Sequence, residues 1–186
     1  MGIDPVNERT SRAVFLDRDG VINRGIIRDG KPYPPQTLEE LEVLPGVAEA
    51  LSRMHDAGFL LIVATNQPDV ARGKQTREMV EAMHEQLADE LPIDAFFACY
   101  HDEGDGCDCR KPKPGMLLEA ARAYDIDLAR SYMIGDRWRD TGCGQNAGCT
   151  AIFLDFGYSE RQPVPPFVRV GSMGEAADFI IAKEAE

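Results

Sequence analysis

Ala13-Val14-Phe15-Leu16-Asp17-Arg18-Asp19-Gly20 (AVFLDRDG) passes from four apolar residues directly into two carboxylates and a glycine. A short apolar run with polar residues at its C-terminal end reads as a buried parallel strand. Four more runs repeat the pattern. Phe59 to Ala64 leads into Thr65-Asn66-Gln67, Ala95 to Ala98 into Cys99, Tyr132 to Ile134 into Gly135-Asp136, and Ala151 to Leu154 into Asp155. Amphipathic stretches lie between them. Pro45 to Ala57 sets Val47, Ala50, Leu51 and Met54 at helical spacing, with Gly58 where a C-terminal cap belongs. Thr76 to Leu87, Pro114 to Tyr124 and Gly174 to Ala182 read as further helices. The alternation predicts an α/β fold: a Rossmann-like doubly wound parallel sheet with helices on both faces. Ligands of such sheets sit beyond the carboxyl ends of the strands, where every polar cluster just named falls.

The 186 residues, 44% of them hydrophobic, suffice for one packed domain, expected over 13–186 after a loose lead-in at 1–12. No apolar run approaches the ~20 residues of a membrane span, and the N-terminus lacks the apolar core of a signal peptide. A cytoplasmic monomer is the expectation. The net charge of −12 argues against nucleic acid or an anionic membrane as partner. A small anionic substrate remains open, because Arg110, Lys111 and Lys113 form a local basic cluster. The Pro/Gly-rich stretch from Asn23 to Glu42 reads as a loop beside the site.

The strand ends carry the chemistry. At Asp17 and Asp19 one carboxylate can attack phosphorus while the other moves a proton. Gly20 lets the backbone turn close to the ligand. Asp17, the Asp19 carbonyl and Asp136 offer hard oxygens to Mg²⁺. Thr65 and Asn66 can donate to a phosphoryl oxygen, and Lys111, stiffened by neighbouring prolines, can neutralise its charge. Each piece alone has an ordinary reading: a turn for Asp17-Arg18-Asp19, a helix cap for Asp136, a turn for Thr65-Asn66, a solvated loop for Arg110 to Gly115. Together they point to phosphoryl chemistry.

Five cysteines, three of them within eleven residues, make a poor disulfide framework. Cys99-x-His101 and Cys107-x-Cys109 instead supply three sulfurs and an imidazole, a closed tetrahedral set suited to a structural Zn²⁺. Cys143 and Cys149 read as small core residues. His55 and His84 read as partly exposed helix positions. Trp138 reads equally as pocket wall or core.

Asp17-Arg18-Asp19-Gly20, Thr65-Asn66-Gln67, Lys111 and Gly135-Asp136 with Asp140 resemble, in order, the four motifs of haloacid dehalogenase-like phosphatases. FLDRDGVIN, TNQPDVARGK, CYH, CDCRKPKPGM and SYMIGDRWRD extend the likeness, from about Val14 to Gly148, to the zinc-bearing heptose/histidinol phosphatase branch. The resemblance implies Asp17 as nucleophile and Asp19 as acid/base. It implies Thr65 and Lys111 on the phosphoryl group, and Asp17, Asp19 and Asp136 on Mg²⁺. It places Arg110, Arg137, Asn66, Gln67 and the loop Gly25, Ile26, Ile27 and Arg28 at the substrate, and Zn²⁺ on Cys99, His101, Cys107 and Cys109. No large cap domain is expected. The implied substrate is a phosphorylated sugar, D-glycero-D-manno-heptose 1,7-bisphosphate cleaved at C7, with histidinol phosphate as the alternative. Pro68-Asp69 departs from the Ser-Gly that usually follows the TNQ motif in the heptose enzymes. A phospho-accepting receiver and a non-catalytic zinc-bearing module are the readings from other classes.

Overall fold

Alternate residues of the first strand point to opposite faces, and both faces are covered. Val14 and Leu16 join one core cluster with Val47, Leu51, Met83, Leu87 and Ile180; Ala13 and Phe15 join another with Met116, Leu117, Ala120 and Cys143. This two-sided burial gives the strand its continuous apolar run. Complete burial of Phe15 or Leu51 contributes roughly 2–3 kcal/mol each.

The structure, a computed structural model, describes residues 10–28 and 31–184. In chain order the elements are β1 (Ala13–Leu16), β2 (Ile26–Arg28), β3 (Lys31–Tyr33), α1 (Val47–Asp56), β4 (Leu60–Asn66), α2 (Arg77–Glu90), β5 (Ala95–Cys99), α3 (Gly115–Tyr124), β6 (Tyr132–Gly135), α4 (Trp138–Ala147), β7 (Thr150–Leu154), β8 (Val168–Val170) and α5 (Met173–Glu184). Six strands form one parallel sheet in the order β5-β4-β1-β6-β7-β8. The chain leaves β1 toward β4 on one side and returns to β6 on the other. The carboxyl end of β1 is therefore the switch point, where such sheets open a crevice. The expected Rossmann-like sheet, with helices on both faces, is the fold found.

Several expectations change in detail. The stretch Asn23 to Glu42 is not all loop: β2 and β3 pair antiparallel, Ile26 opposite Tyr33, and a 3₁₀ turn covers Leu38–Glu40. The β-branched pair Ile26-Ile27 followed by an Asp-Gly turn sequence is a hairpin signal that outweighs the prolines. A third difference is β8, too short for its apolar pattern to stand out, which closes the sheet edge. Helix α4 lies where the sequence offered only a possible cap. Within the expected lead-in at 1–12, Ser11 and Arg12 are tied to the domain. Ser11 exchanges backbone hydrogen bonds with Asp125 and Asp127 at 2.8 and 2.9 Å, and Arg12 lies over the Phe59 ring at 4.6 Å and pairs with Glu184. Residues 1–9 of that segment lie outside the described residues. Among the described residues no helix is long and apolar enough to cross a membrane.

Candidate active site

β1 ends at Leu16, so Asp17 is the first residue past the sheet, and its amide still bonds the Ile134 carbonyl of β6 at 3.0 Å. That bond fixes Asp17 at the switch point. Its carboxylate Oδ1 accepts from the Arg18 amide at 2.8 Å and lies 2.8 Å from Lys111 Nζ. Lys111 Nζ also lies 2.7 Å from Asp140 Oδ1. Burial opposes the lysine charge, yet Asp140 and Asp17 hold its pKa above the ordinary value, so it stays a cation. Burial pushes Asp17 up to about 6; Lys111 pulls it down, and Asp140 and Asp19 push it further up.

Asp136 follows β6 and is 1% exposed; no close hydrogen bond reaches either of its oxygens among the described residues, and the Tyr158 hydroxyl faces it. Burial, then Asp140 and Asp17, raise its pKa well above the carboxylate range. The capping reading of Asp136 is thereby answered. Arg137 is the N-cap of α4, and Asp140 accepts from its amide at 3.0 Å. Two glycines make room for these acids. A Cβ on Gly20, whose φ is +90°, would stand 2.1 Å from Asp136 Oδ2, and one on Gly135 would stand 2.0 Å from Asp140 Cβ. Asp17, Asp136 and Asp140 bring carboxylate oxygens within 4.8 Å of one another. Buried acids this close fit a hard divalent cation.

The Asp19 carboxylate is not part of this group. Its carboxylate accepts from Arg18 Nε and Nη2 at 3.1–3.2 Å, from Asn23 Nδ2 at 3.0 Å and from Gln67 Nε2 at 2.7 Å. A role for Asp19 on the metal therefore falls to its backbone carbonyl. Thr65, the penultimate residue of β4, is almost fully buried, and its Oγ1 accepts from Gln67 Nε2 at 3.0 Å, which leaves the hydroxyl proton free to donate.

Two residues expected at the substrate are otherwise engaged. Asn66 clamps the backbone of Lys111, donating to its carbonyl at 3.2 Å and accepting from its amide at 3.0 Å. Gln67 is spent on Asp19 and Thr65. Both amides lie at a strand end, where bracing a neighbour satisfies more buried polar groups than an open pocket would. Arg137 makes a forked pair with Glu160 at 2.8 and 2.6 Å, and that pairing raises its pKa. Arg110 donates to the His101 carbonyl at 3.1 Å. Beside Lys111 opens a cavity of about 280 Å³ lined by Arg110, Lys113, Trp138 and Arg139, so Trp138 is a pocket wall. Gly25 and Ile26 are half-buried, and the side chains of Ile27 and Arg28 lie outside the described residues.

Past β5, Cys99, His101, Cys107 and Cys109 converge. Cys99 Sγ lies 3.7 Å from both Cys107 Sγ and His101 Nδ1 and 3.0 Å from Cys109 Sγ; His101 Nδ1 lies 3.3 Å from Cys109 Sγ. A tetrahedral ion with ~2.3 Å bonds to sulfur sets its ligands about 3.8 Å apart, so the cluster can hold one. All five cysteines are free thiols, and Cys143 and Cys149 are buried in the core as expected.

Sequence reading missed two parts of the surroundings. His84 is 8% exposed rather than a partly open helix position, because Arg18 and Phe96 cover it. Its spacing with Val80, Met83 and Leu87 on the buried face of α2 was the available signal. The segment after β7, which brings Glu160 to Arg137, has no periodic pattern to read.

A parallel sheet switching direction at β1, with an acid pair, a buried lysine and a second acid cluster at that point, defines a haloacid dehalogenase-like hydrolase. A family model described as HAD-hydrolase-like matches residues 108–169. The D-glycero-β-D-manno-heptose-1,7-bisphosphate 7-phosphatase of Bordetella bronchiseptica is 36% identical over 155 residues, covering 81% of this chain and 84% of that protein. The D-glycero-D-manno-heptose-1,7-bisphosphate 7-phosphatase of Thermosynechococcus vestitus is 37% identical over 165 residues, covering 80% and 81%. The crystal structure of the B. bronchiseptica D,D-heptose 1,7-bisphosphate phosphatase, complexed with magnesium and phosphate, superposes with a TM-score of 0.77 at 31% identity, over 92% of this chain and 99% of that one. The chain belongs to the haloacid dehalogenase-like hydrolases and, within them, to the family of heptose-bisphosphate phosphatases.

Proposed function

We propose that the protein hydrolyses the C7 phosphate ester of D-glycero-D-manno-heptose 1,7-bisphosphate through a phosphoryl group carried on Asp17. The observation that carries this reading is the Asp17 carboxylate at the switch point, 2.8 Å from the buried Lys111 ammonium and grouped with the buried Asp136 and Asp140 carboxylates. Asp17 attacks phosphorus, forming an acyl phosphate as the bond from phosphorus to the sugar oxygen breaks. Asp19 gives its proton to that oxygen. It then takes one from a water, which attacks phosphorus, frees inorganic phosphate and restores Asp17. Lys111 and the Thr65 hydroxyl neutralise and orient the phosphoryl oxygens. Asp17, Asp136 and the Asp19 carbonyl would hold Mg²⁺, which when bound supplies further charge neutralisation there. Asn66 and Gln67 act by fixing Lys111 and Asp19.

Arg110 and, on release from Glu160, Arg137 would take the sugar's second phosphate, with the ribbon from Gly25 to Arg28 as a further wall. Zn²⁺ on Cys99, His101, Cys107 and Cys109 would pin the segment that leads into Arg110 and Lys111. Four protein ligands leave no open coordination position, which makes the site structural. The relatives' heptose names favour the bisphosphate over histidinol phosphate. In this reading the protein works as a cytoplasmic monomer.

Phosphate release measured with Mg²⁺ on heptose 1,7-bisphosphate, fructose bisphosphate and histidinol phosphate tests the assignment. The heptose bisphosphate should give the highest kcat/KM by about tenfold or more. A preference for histidinol phosphate would overturn it.

A further inference from the structure

Arg18 is 0% exposed and is the largest fully buried side chain among the described residues. A guanidinium withdrawn from water must find acceptors for its donors. One edge, Nε and Nη2, grips the Asp19 carboxylate at 3.1–3.2 Å. On the other side, Nη1 lies 3.2 Å from Nε2 of His84 on α2. A guanidinium has no acceptor, so the histidine atom facing it must present a lone pair, and the ring proton sits on Nδ1. The imidazole cannot swing away. It stacks on Phe96 of β5 with ring centres 4.6 Å apart and planes at 16°. Burial and the Arg18 charge push its pKa down to about 3, which keeps it a neutral acceptor. The chain Phe96–His84–Arg18–Asp19 thus runs from the sheet to the acid/base carboxylate.

We propose that His84 is a positioning residue for proton transfer: its Nε2 lone pair fixes the buried Arg18 guanidinium, and Arg18 holds the Asp19 carboxylate at the angle from which it protonates the leaving oxygen. The proposal rests on the assignment of Asp19 above. In the first step the proton passes from the Asp19 carboxyl to the sugar oxygen as the phosphorus–oxygen bond breaks. Loss of alignment should therefore be felt most when the leaving group is a poor one.

The test compares wild type, His84→Phe, His84→Gln and Asp19→Asn, each loaded with Mg²⁺, in single-turnover phosphoryl transfer. One substrate is the sugar phosphate, whose alkoxide needs a proton to leave; the other is p-nitrophenyl phosphate, whose phenolate leaves without one. His84→Phe keeps the ring stack and removes the acceptor. It should slow the sugar phosphate about ten- to a hundredfold and the aryl ester by no more than about threefold, with KM little changed. His84→Gln, which restores an acceptor, should recover most of the loss. Equal slowing of both substrates by His84→Phe, or no slowing of either, overturns the proposal. So does a His84→Gln that is no better than His84→Phe. If Asp19→Asn itself slows both substrates alike, the assignment of Asp19 falls and the proposal with it. If Asp19→Asn discriminates between the substrates and His84→Phe does not, this proposal alone fails. Should His84→Phe not fold, ¹⁵N NMR of the wild-type imidazole decides. A proton on Nδ1 and a bare Nε2 at neutral pH are expected, and a protonated Nε2 contradicts the proposal.

Discussion

Asp136 is 1% exposed beside Asp17 and Asp140, and no cation pairs with its carboxylate at hydrogen-bond distance among the described residues. In the metal-free protein such a carboxylate costs stability, because its charge is desolvated and repelled. The sign follows from linkage. The folded pKa values of Asp17 and Asp136 lie above the unfolded 3.8, so the folded state binds more protons. Stability from these groups therefore falls as pH rises through the window from 3.8 to about 6 for Asp17, and further for Asp136. With chelator present, Asp136→Asn should melt several degrees above wild type at about pH 7.5, and the gap should shrink toward about pH 5. Millimolar Mg²⁺ should raise the melting temperature of wild type and hardly that of Asp136→Asn, while the variant loses Mg²⁺-dependent phosphate release. A variant less stable than wild type in chelator would contradict this. The acid pair of Asp17 and Asp19, Thr65 and Asp136 were legible in sequence because each sits just past an apolar run, and Lys111 because it lies in a basic, proline-flanked segment. Arg18 and His84 were not. The helical spacing of His84 with Val80, Met83 and Leu87 hints at its burial, but no local pattern shows that Arg18 packs against it.

The segment from Cys99 to Lys111 joins β5 to the buried lysine with little apolar burial of its own. Cys99 is buried, but His101 is exposed and Cys107 and Cys109 are only half-buried. Its order is therefore assigned to the proposed Zn²⁺. One zinc per chain is expected by elemental analysis. Cys107→Ser should lose it, melt on the order of 10 °C lower and lose most activity, since Lys111 is then held only by Asn66 and its acid partners. A zinc-free wild-type protein of full activity would contradict the assignment. Spacing made this cluster readable, because the ligands come in two nearby pairs. By contrast β8, of three residues, and the β2–β3 ribbon within a Pro/Gly-rich stretch are elements whose pairing partners, not their own patterns, define them.

Across the molecule, one topological fact gathers the chemistry. A parallel sheet that reverses direction at β1 puts the carboxyl ends of β1, β4, β5 and β6 on one edge, bringing Asp17, Thr65, Cys99 and Asp136 to a common side. The alternation of apolar runs and amphipathic stretches predicted that sheet. Against the net charge of −12, the cavity beside the acids gathers Arg110, Lys111, Lys113 and Arg139, a small basic patch that suits a small anion rather than a polyanion. The central claim, that Asp17 carries the phosphoryl group, is tested most directly by borohydride trapping during turnover, which reduces an acyl phosphate to homoserine. The tryptic peptide Ala13–Arg18 contains Asp17 as its single acid. Homoserine should appear at Asp17 only when Mg²⁺ and substrate are both present, and not in Asp17→Asn. Steady turnover with no homoserine in that peptide, or homoserine at another aspartate, would contradict the account.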